Sequence, residues 1–193
     1  MLRKTIRLCA AVMLLSLLFA GGCSIFPEPA PAAPEYDLGE GAELEPVPVP
    51  VRIGVIRNLS GSDRRFLFRR AENRMVASES GRWLLSPDLL IERRLLADFS
   101  GSDDGASKPE AFVRIDGTLV RFEFDEAART AELGMDYALK LYLDGALRRT
   151  VTGNRRFSVP VEGEGAAAEA AAMSRAVDQF AAAIREQIVK QPR

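Results

Sequence analysis

Tyr137, Leu139, Leu141 and Leu143 recur at every second position and stop at Asp144-Gly145, after which Leu147, Val151, Phe157 and Val159 continue. A period of two is that of a strand with one buried face. Asp-Gly between two such runs supplies the positive φ values of a type I′ turn, so a long hairpin is predicted here. That hairpin constrains the rest of the chain, because its apolar face must be covered by other elements.

The other elements follow from the same reasoning. Val47, Val49, Val51, Ile53 and Val55 alternate as a strand whose start is interleaved with prolines, which suit only an edge or a pre-strand extension. Phe66-Leu67-Phe68-Arg69-Arg70 and Met75-Val76-Ala77-Ser78-Glu79 are short strand candidates around Glu72-Asn73. In Ala111 to Phe124, Val113 and Ile115 alternate in one phase and Val120, Phe122 and Phe124 in the other. The slip is placed at Asp116-Gly117, as a tight hairpin or a bulge. Ser86-Pro87-Asp88 opens a helix: serine can cap free N–H groups, proline at the first helical position loses no bond, and the acid complements the dipole. Ile91, Leu95 and Phe99 form its stripe, with Leu89 and Leu96 beside it, and Glu92 reads as an edge residue reaching water rather than a catalytic acid. Met173, Val177, Phe180, Ile184 and Ile188 line a final alanine-rich helix. The fold class expected is α+β: an antiparallel sheet with two helices on one face, preceded by a signal peptide and a proline-rich tether.

The N-terminus sets the compartment. Arg3, Lys4 and Arg7 precede an apolar run from Leu8 to Phe19 and small residues at Ala20, Gly21 and Gly22, the three parts of a secretory signal. The run is short for a membrane span, which needs about 20 apolar residues. Cys23 directly after Gly22 resembles the bacterial lipobox, although Ala20 stands where leucine is usual. Cleavage is then expected between Gly22 and Cys23. The lipobox resemblance implies covalent diacylglyceryl and N-acyl chains on Cys23, and resemblance to enterobacterial lipoprotein sorting, where aspartate at the next place retains a protein in the inner membrane, implies that Ser24 is an outer-membrane address. From 24 to 50 the chain holds seven of its eleven prolines, six acids and no base. It reads as a stretched tether of roughly 80 Å at ~3.1 Å per residue, with Tyr36 and Leu38 able to dock. The expected organisation is a signal peptide at 1–22, a lipidated tether at 23–50 and a folded domain at 51–193.

Composition narrows the chemistry. There is no histidine, so imidazole bases, Ser-His-Asp triads and histidine-bound metals are ruled out, and an acylated Cys23 leaves no free thiol in the mature chain. No enzymatic activity, metal or cofactor beyond the acyl chains is expected. Asp103-Asp104 reads as a solvated loop. The 26 basic and 27 acidic residues balance, so nucleic acid is not an expected partner. Arg-Arg pairs at 64–65, 69–70, 93–94, 148–149 and 155–156 read as solvated faces, a subset of which could meet an acidic partner or lipid headgroups. Trp83 reads as a core anchor.

Taken in order, Cys23 in its lipobox, Tyr36-Asp37-Leu38-Gly39, Phe68-Arg69, Arg82-Trp83 before Pro87, Gly117 to Glu123 with its Phe-Glu ending, and Arg155-Arg156-Phe157 before the last helix resemble the ABC-type transport auxiliary lipoproteins. Phe68 replaces a tyrosine usual in that family. The resemblance implies a non-enzymatic, lipid-anchored accessory on the periplasmic face of the outer membrane. Its partner would be an MCE-type (mammalian cell entry) periplasmic protein of an ABC transporter that moves lipids or hydrophobic compounds, with permease and ATPase as separate chains. Tyr36, Phe68, Arg69, Trp83 and Pro87 become candidate partner or structural positions, and self-association stays open. The alternative is a lipoprotein of another envelope machine, for lipopolysaccharide assembly or peptidoglycan-synthase regulation.

Overall fold

The computed structural model describes residues 32–41, 44–100 and 110–190, and for Glu72 the backbone only. Cys23, Gly22, Ser24 and Asp103-Asp104 lie outside these residues. From Ala33 onward the described residues belong to one compact unit.

The long hairpin is present: β6, Thr130–Leu143, turns through Asp144 (φ 51°) and Gly145 (φ 76°) into β7, Ala146–Pro160, with Leu143 opposite Ala146. On the other flank of β6 lies β5, Ala111–Asp125, which runs unbroken through Asp116-Gly117. The expected phase slip is a bulge at Val120, three residues later than placed, where Leu119 faces Met135 and Arg121 faces Gly134. Val113, Ile115 and Leu119 before it and Phe122 and Phe124 after it therefore all reach the core.

The sheet is mixed, not purely antiparallel. β2, Val51–Asn58, and β3, Arg65–Arg69, both pair parallel with β5, one along its first half and one at its end. β4, Met75–Trp83, pairs antiparallel with β3, and a two-residue β1, Glu35–Tyr36, adds parallel to β4. A parallel pair needs a long crossover. The excursion through β3, β4 and helix α1, Pro87–Phe99, provides it, returning the chain to the sheet in the direction of β2. Alternation of side chains carries no sign of strand direction, so the sequence could not announce this.

A second bulge, at Gly54-Val55 in β2, breaks the expected valine phase: Val55 turns outward, 54% exposed, and Ile56 is buried instead. α1 begins at Pro87 as expected, but Ser86 caps it only through its backbone carbonyl, which accepts the Leu90 N–H at 3.0 Å. Leu89 and Leu96 are about half exposed, and the buried face is Leu90, Ile91, Arg94, Leu95 and Phe99. Helix α2, Ala166–Val189, buries Met173, Val177, Phe180, Ile184 and Ile188 as expected, and five of its alanines let it lie close to β6 and β7. Both helices cover one face of the sheet, α1 over β2 and α2 over the hairpin. Among the described residues no helix is long and apolar enough to cross a membrane.

Candidate functional site

The candidate positions of the sequence converge on one wing of the sheet. Tyr36 and Trp83 face each other across β1 and β4, with Leu84 N–H donating to the Tyr36 carbonyl at 2.7 Å and Arg82 N–H to the Pro34 carbonyl at 3.0 Å. Behind them Phe66, from β3, is the hub, its ring 5.5 Å from Tyr36, 4.4 Å from Trp83 and 5.4 Å from Phe124. Phe68 packs on Phe124 at 5.3 Å, and Trp83 meets Phe122 edge-on. Trp83 and Phe66 are wholly buried, so neither can serve as a platform for a ligand from solvent. The alternating aromatic residues of β3 and β5 make this wall, and its role is to hold the N-terminal strand.

Arg69 points to the opposite face, the one that α1 and α2 do not cover. There it grips the buried Glu123 with two parallel bonds, Nε to Oε1 at 2.8 Å and Nη2 to Oε2 at 3.1 Å, and Arg121 Nε adds a third at 2.6 Å. Two motifs separated by 54 positions, Phe68-Arg69 and Phe122-Glu123, are thus halves of one planar ion pair. Their equal alternation with aromatic residues on paired strands was the signal for this contact. Further along the same face Asp116 bonds Lys140 at 2.8 Å and Arg114 at 2.9 Å. Burial alone would raise its pKa, but hydrogen bonds from Lys140, the Val55 N–H and Arg114 outweigh this and hold it below the ordinary carboxylate range. A groove there of about 430 Å³ is lined by charged groups such as Arg57, Arg114, Asp116 and Lys140. Among the described residues no cluster of acids, cysteine or histidine could hold a metal.

Residues 33–41 and 44–50 are strapped to the domain. Leu38 is 3% exposed, and Leu44, Val47 and Val49 rest partly buried on the core. Glu35 binds Arg82 and Arg64, which lower its pKa, with Arg82 the larger cause. Asp37 pairs with Arg93, and Arg185 holds both the carbonyl and the carboxylate of Glu45. The key of the strap is Arg94, a solvated arginine on the sequence reading and 3% exposed in the structure. Its Nη1 donates to the carbonyls of Leu38 at 2.7 Å and Gly39 at 3.1 Å, its Nη2 reaches Asp178 on α2, and its Nε lies 3.4 Å from Asp98. One guanidinium therefore joins the strap to both helices. Its signal was present in the sequence: Arg94 and Asp98 stand four apart inside the stripe of Ile91, Leu95 and Phe99.

Asp98 is the strained member. Gly41 of the strap passes so close that a Cβ there would lie 1.8 Å from Asp98 Oδ1. Neither carboxylate oxygen finds a hydrogen bond among the described residues. Burial pushes its pKa above the ordinary value of 3.8, Arg94 pulls it back, and Asp178 on α2 adds to the rise. A carboxyl with a raised folded pKa binds its proton more tightly when folded, so its contribution favours folding at low pH and is lost as pH rises from near 4 through the raised value. Asp98→Asn should therefore remove that loss: the variant's stability relative to wild type, from urea unfolding, should increase from pH 4 to pH 7. A relative stability that stays flat or falls would show the Arg94 attraction to be dominant.

Two crystal structures share this fold. One, of an uncharacterized protein, is 11% identical with a TM-score of 0.65, covering 82% of this chain and 99% of that one. The other, a DUF330 protein from Xanthomonas campestris, is 17% identical with a TM-score of 0.54, covering 84% and 90%. No curated protein matches the sequence. The model of one protein family matches residues 62–185, from the approach to β3 well into α2 and so across the aromatic wall, the Arg69–Glu123 pair and Arg94. Since that match takes in well over half of the chain, the protein belongs to the family described as the ABC-type transport auxiliary lipoprotein component.

Proposed function

We propose that this protein is a lipid-anchored, non-catalytic accessory of an MCE-associated ABC transport system, which helps lipids or other hydrophobic compounds pass between the membranes of the envelope. The family match across residues 62–185 carries this reading. The lipobox-like Ala20-Gly21-Gly22-Cys23 supports the anchor, and a chain without histidine supports a docking role over catalysis. Cys23 would take the acyl chains, Ser24 would send the protein to the outer membrane, and an MCE-type protein reaching from the other membrane would be the partner.

Crosslinking in native membranes, followed by identification of the captured chain, tests the partner. Capture of an MCE-type protein supports the reading, and capture of a lipopolysaccharide-assembly or peptidoglycan-synthase component replaces it. The anchor has its own test. Acyl chains contribute ~0.8 kcal/mol per buried CH₂, so two or three of them hold firmly. Cys23→Ala should leave the chain uncleaved or released from the membrane fraction, and wild-type mobility with full membrane retention would refute lipidation. Wild-type protein found in the inner-membrane fraction would refute the role of Ser24.

A further inference from the structure

The five Arg-Arg pairs divide three to two once folded. Arg64, Arg65, Arg69, Arg70, Arg93 and Arg94 all have acidic partners. On β7 the pattern changes: the exposed Arg148, Arg149 and Arg156 have no hydrogen bond or ion pair among the described residues, and the half-exposed Arg155 donates only to the Asn154 carbonyl, with Glu186 of α2 as a more distant acidic neighbour. β7 is also the last strand of the sheet, fifteen residues long and, among the described residues, paired on one side only, with β6. Its free side offers a row of backbone donors and acceptors.

The arginines are placed symmetrically. Arg148-Arg149 and Arg155-Arg156 flank the uncharged stretch Thr150-Val151-Thr152-Gly153-Asn154, and the whole strand has no acid and no proline before Pro160. Pairing of two such strands antiparallel about Thr152 would set Arg148 against Arg156 and Arg149 against Arg155. Pairing them parallel and in register would set each arginine against itself. Like charges directly opposite are unfavourable in either case. The edge thus repels a second copy of itself while leaving five residues free to pair, and the bulge at Arg148 ends the regular ladder on the turn side.

We propose that β7 is a docking edge for an extended segment of another protein, one with acidic residues on both sides of a short uncharged β-forming stretch. Backbone bonds to Thr150–Asn154 would hold that segment in the manner of an added strand, and the flanking carboxylates would meet the four arginines and set the register. The arginines reject self-pairing and select the acidic partner by the same charge.

The test uses the full-length chain and two synthetic peptides, Glu-Glu-Thr-Val-Thr-Val-Thr-Glu-Glu and the same peptide with lysine for each glutamate. The acidic peptide should bind roughly tenfold tighter or better, since each cross-strand ion pair adds a small favourable term and each like-charge pair a comparable penalty. It should slow hydrogen exchange at amides between Thr150 and Asn154, and its affinity should fall as salt rises well past physiological strength. The triple variant Arg148→Glu, Arg149→Glu, Arg156→Glu alters only exposed, unpartnered side chains and should reverse the preference. Equal binding of the two peptides overturns the proposal, as does binding that leaves those amides unprotected. So does the result that vesicles of phosphatidylglycerol and phosphatidylethanolamine engage the arginines while the acidic peptide does not, which would make the edge a membrane contact. None of these results bears on the transport assignment, which stands or falls on crosslinking in native membranes.

Discussion

Replacing Arg94 with alanine is expected to destabilise the domain by about 3–5 kcal/mol, the range for removing one partner of a buried charge network. The side chain is almost inaccessible, and its loss would leave the Asp98 carboxylate buried without its counter-charge and Asp178 without its bond across the helices. The Leu38 carbonyl would keep only the Ser174 hydroxyl, at 2.5 Å. The strap should then loosen before the domain unfolds. In practice, limited proteolysis under native conditions should cut between Ala33 and Glu45 in Arg94→Ala but not in wild type, and urea unfolding should show the lowered midpoint. Adding Asp98→Asn to Arg94→Ala should recover part of the loss, because it removes the orphaned charge. A stability drop below about 1 kcal/mol, the range of exposed pairs, with an unchanged proteolytic pattern would mean that Arg94 does not hold the strap.

The same contacts bear on where the folded part begins. Periodicity yields a candidate for each of β2 to β7 and for both helices, and among the described residues the structure has all of these elements, with the first strand running over Val51–Asn58 rather than from Val47 to Val55. What periodicity could not register is a segment that packs without repeating. Leu38 is one leucine among prolines and acids, and its burial depends on a carbonyl that meets Arg94 from a helix 56 positions away. Proline-rich composition argues correctly against helix and central strand in this segment, yet says nothing against an extended chain laid on a surface. The bulges illustrate a related limit. At Val120 the change of phase is visible in Ala111 to Phe124 and only its position was missed. In β2 the run of Val51, Ile53 and Val55 looks unbroken, and only pairing to β5 across Gly54-Val55 turns Val55 outward. The aromatic wall was half legible: Trp83 and Phe68 could be marked as core or motif residues, whereas Phe66 at its centre became recognisable only when β3, β4 and β5 were brought side by side. Arg69 and Glu123 were each noted within a motif, but which acid meets which arginine is a matter of strand order.

Deleting Ile25 to Pro31 should abolish or strongly reduce crosslinking to the transport partner while leaving the domain as stable as wild type. Read as a free tether, residues 24–50 would extend roughly 80 Å at ~3.1 Å per residue. With residues 33–41 and 44–50 held on the domain, at most the nine residues between Cys23 and Ala33 are left for reach. At ~3.3–3.6 Å per residue these span at most about 35 Å. On the proposed anchor at Cys23, the acidic, proline-rich segment divides into two parts with different work: residues 33–41 and 44–50 lie on the fold, and 24–32 would set how far from the anchor the domain can stand. On this account each residue deleted from 24–32 removes a tenth of the available distance, so the effect of shortening should be graded. Deletion of Ile25 to Pro31 keeps Ser24 and the strap, so acylation, sorting and the urea midpoint should not change. Restoring the length with a Gly/Ser stretch should recover crosslinking, whereas the same stretch substituted for Pro34 to Glu45 should lower the urea midpoint without lengthening anything. If the short deletion crosslinks as well as wild type, the partner meets the domain at the membrane surface and reach is not part of the mechanism. If the Gly/Ser replacement of 34–45 is as stable as wild type, the division between strap and tether is wrong.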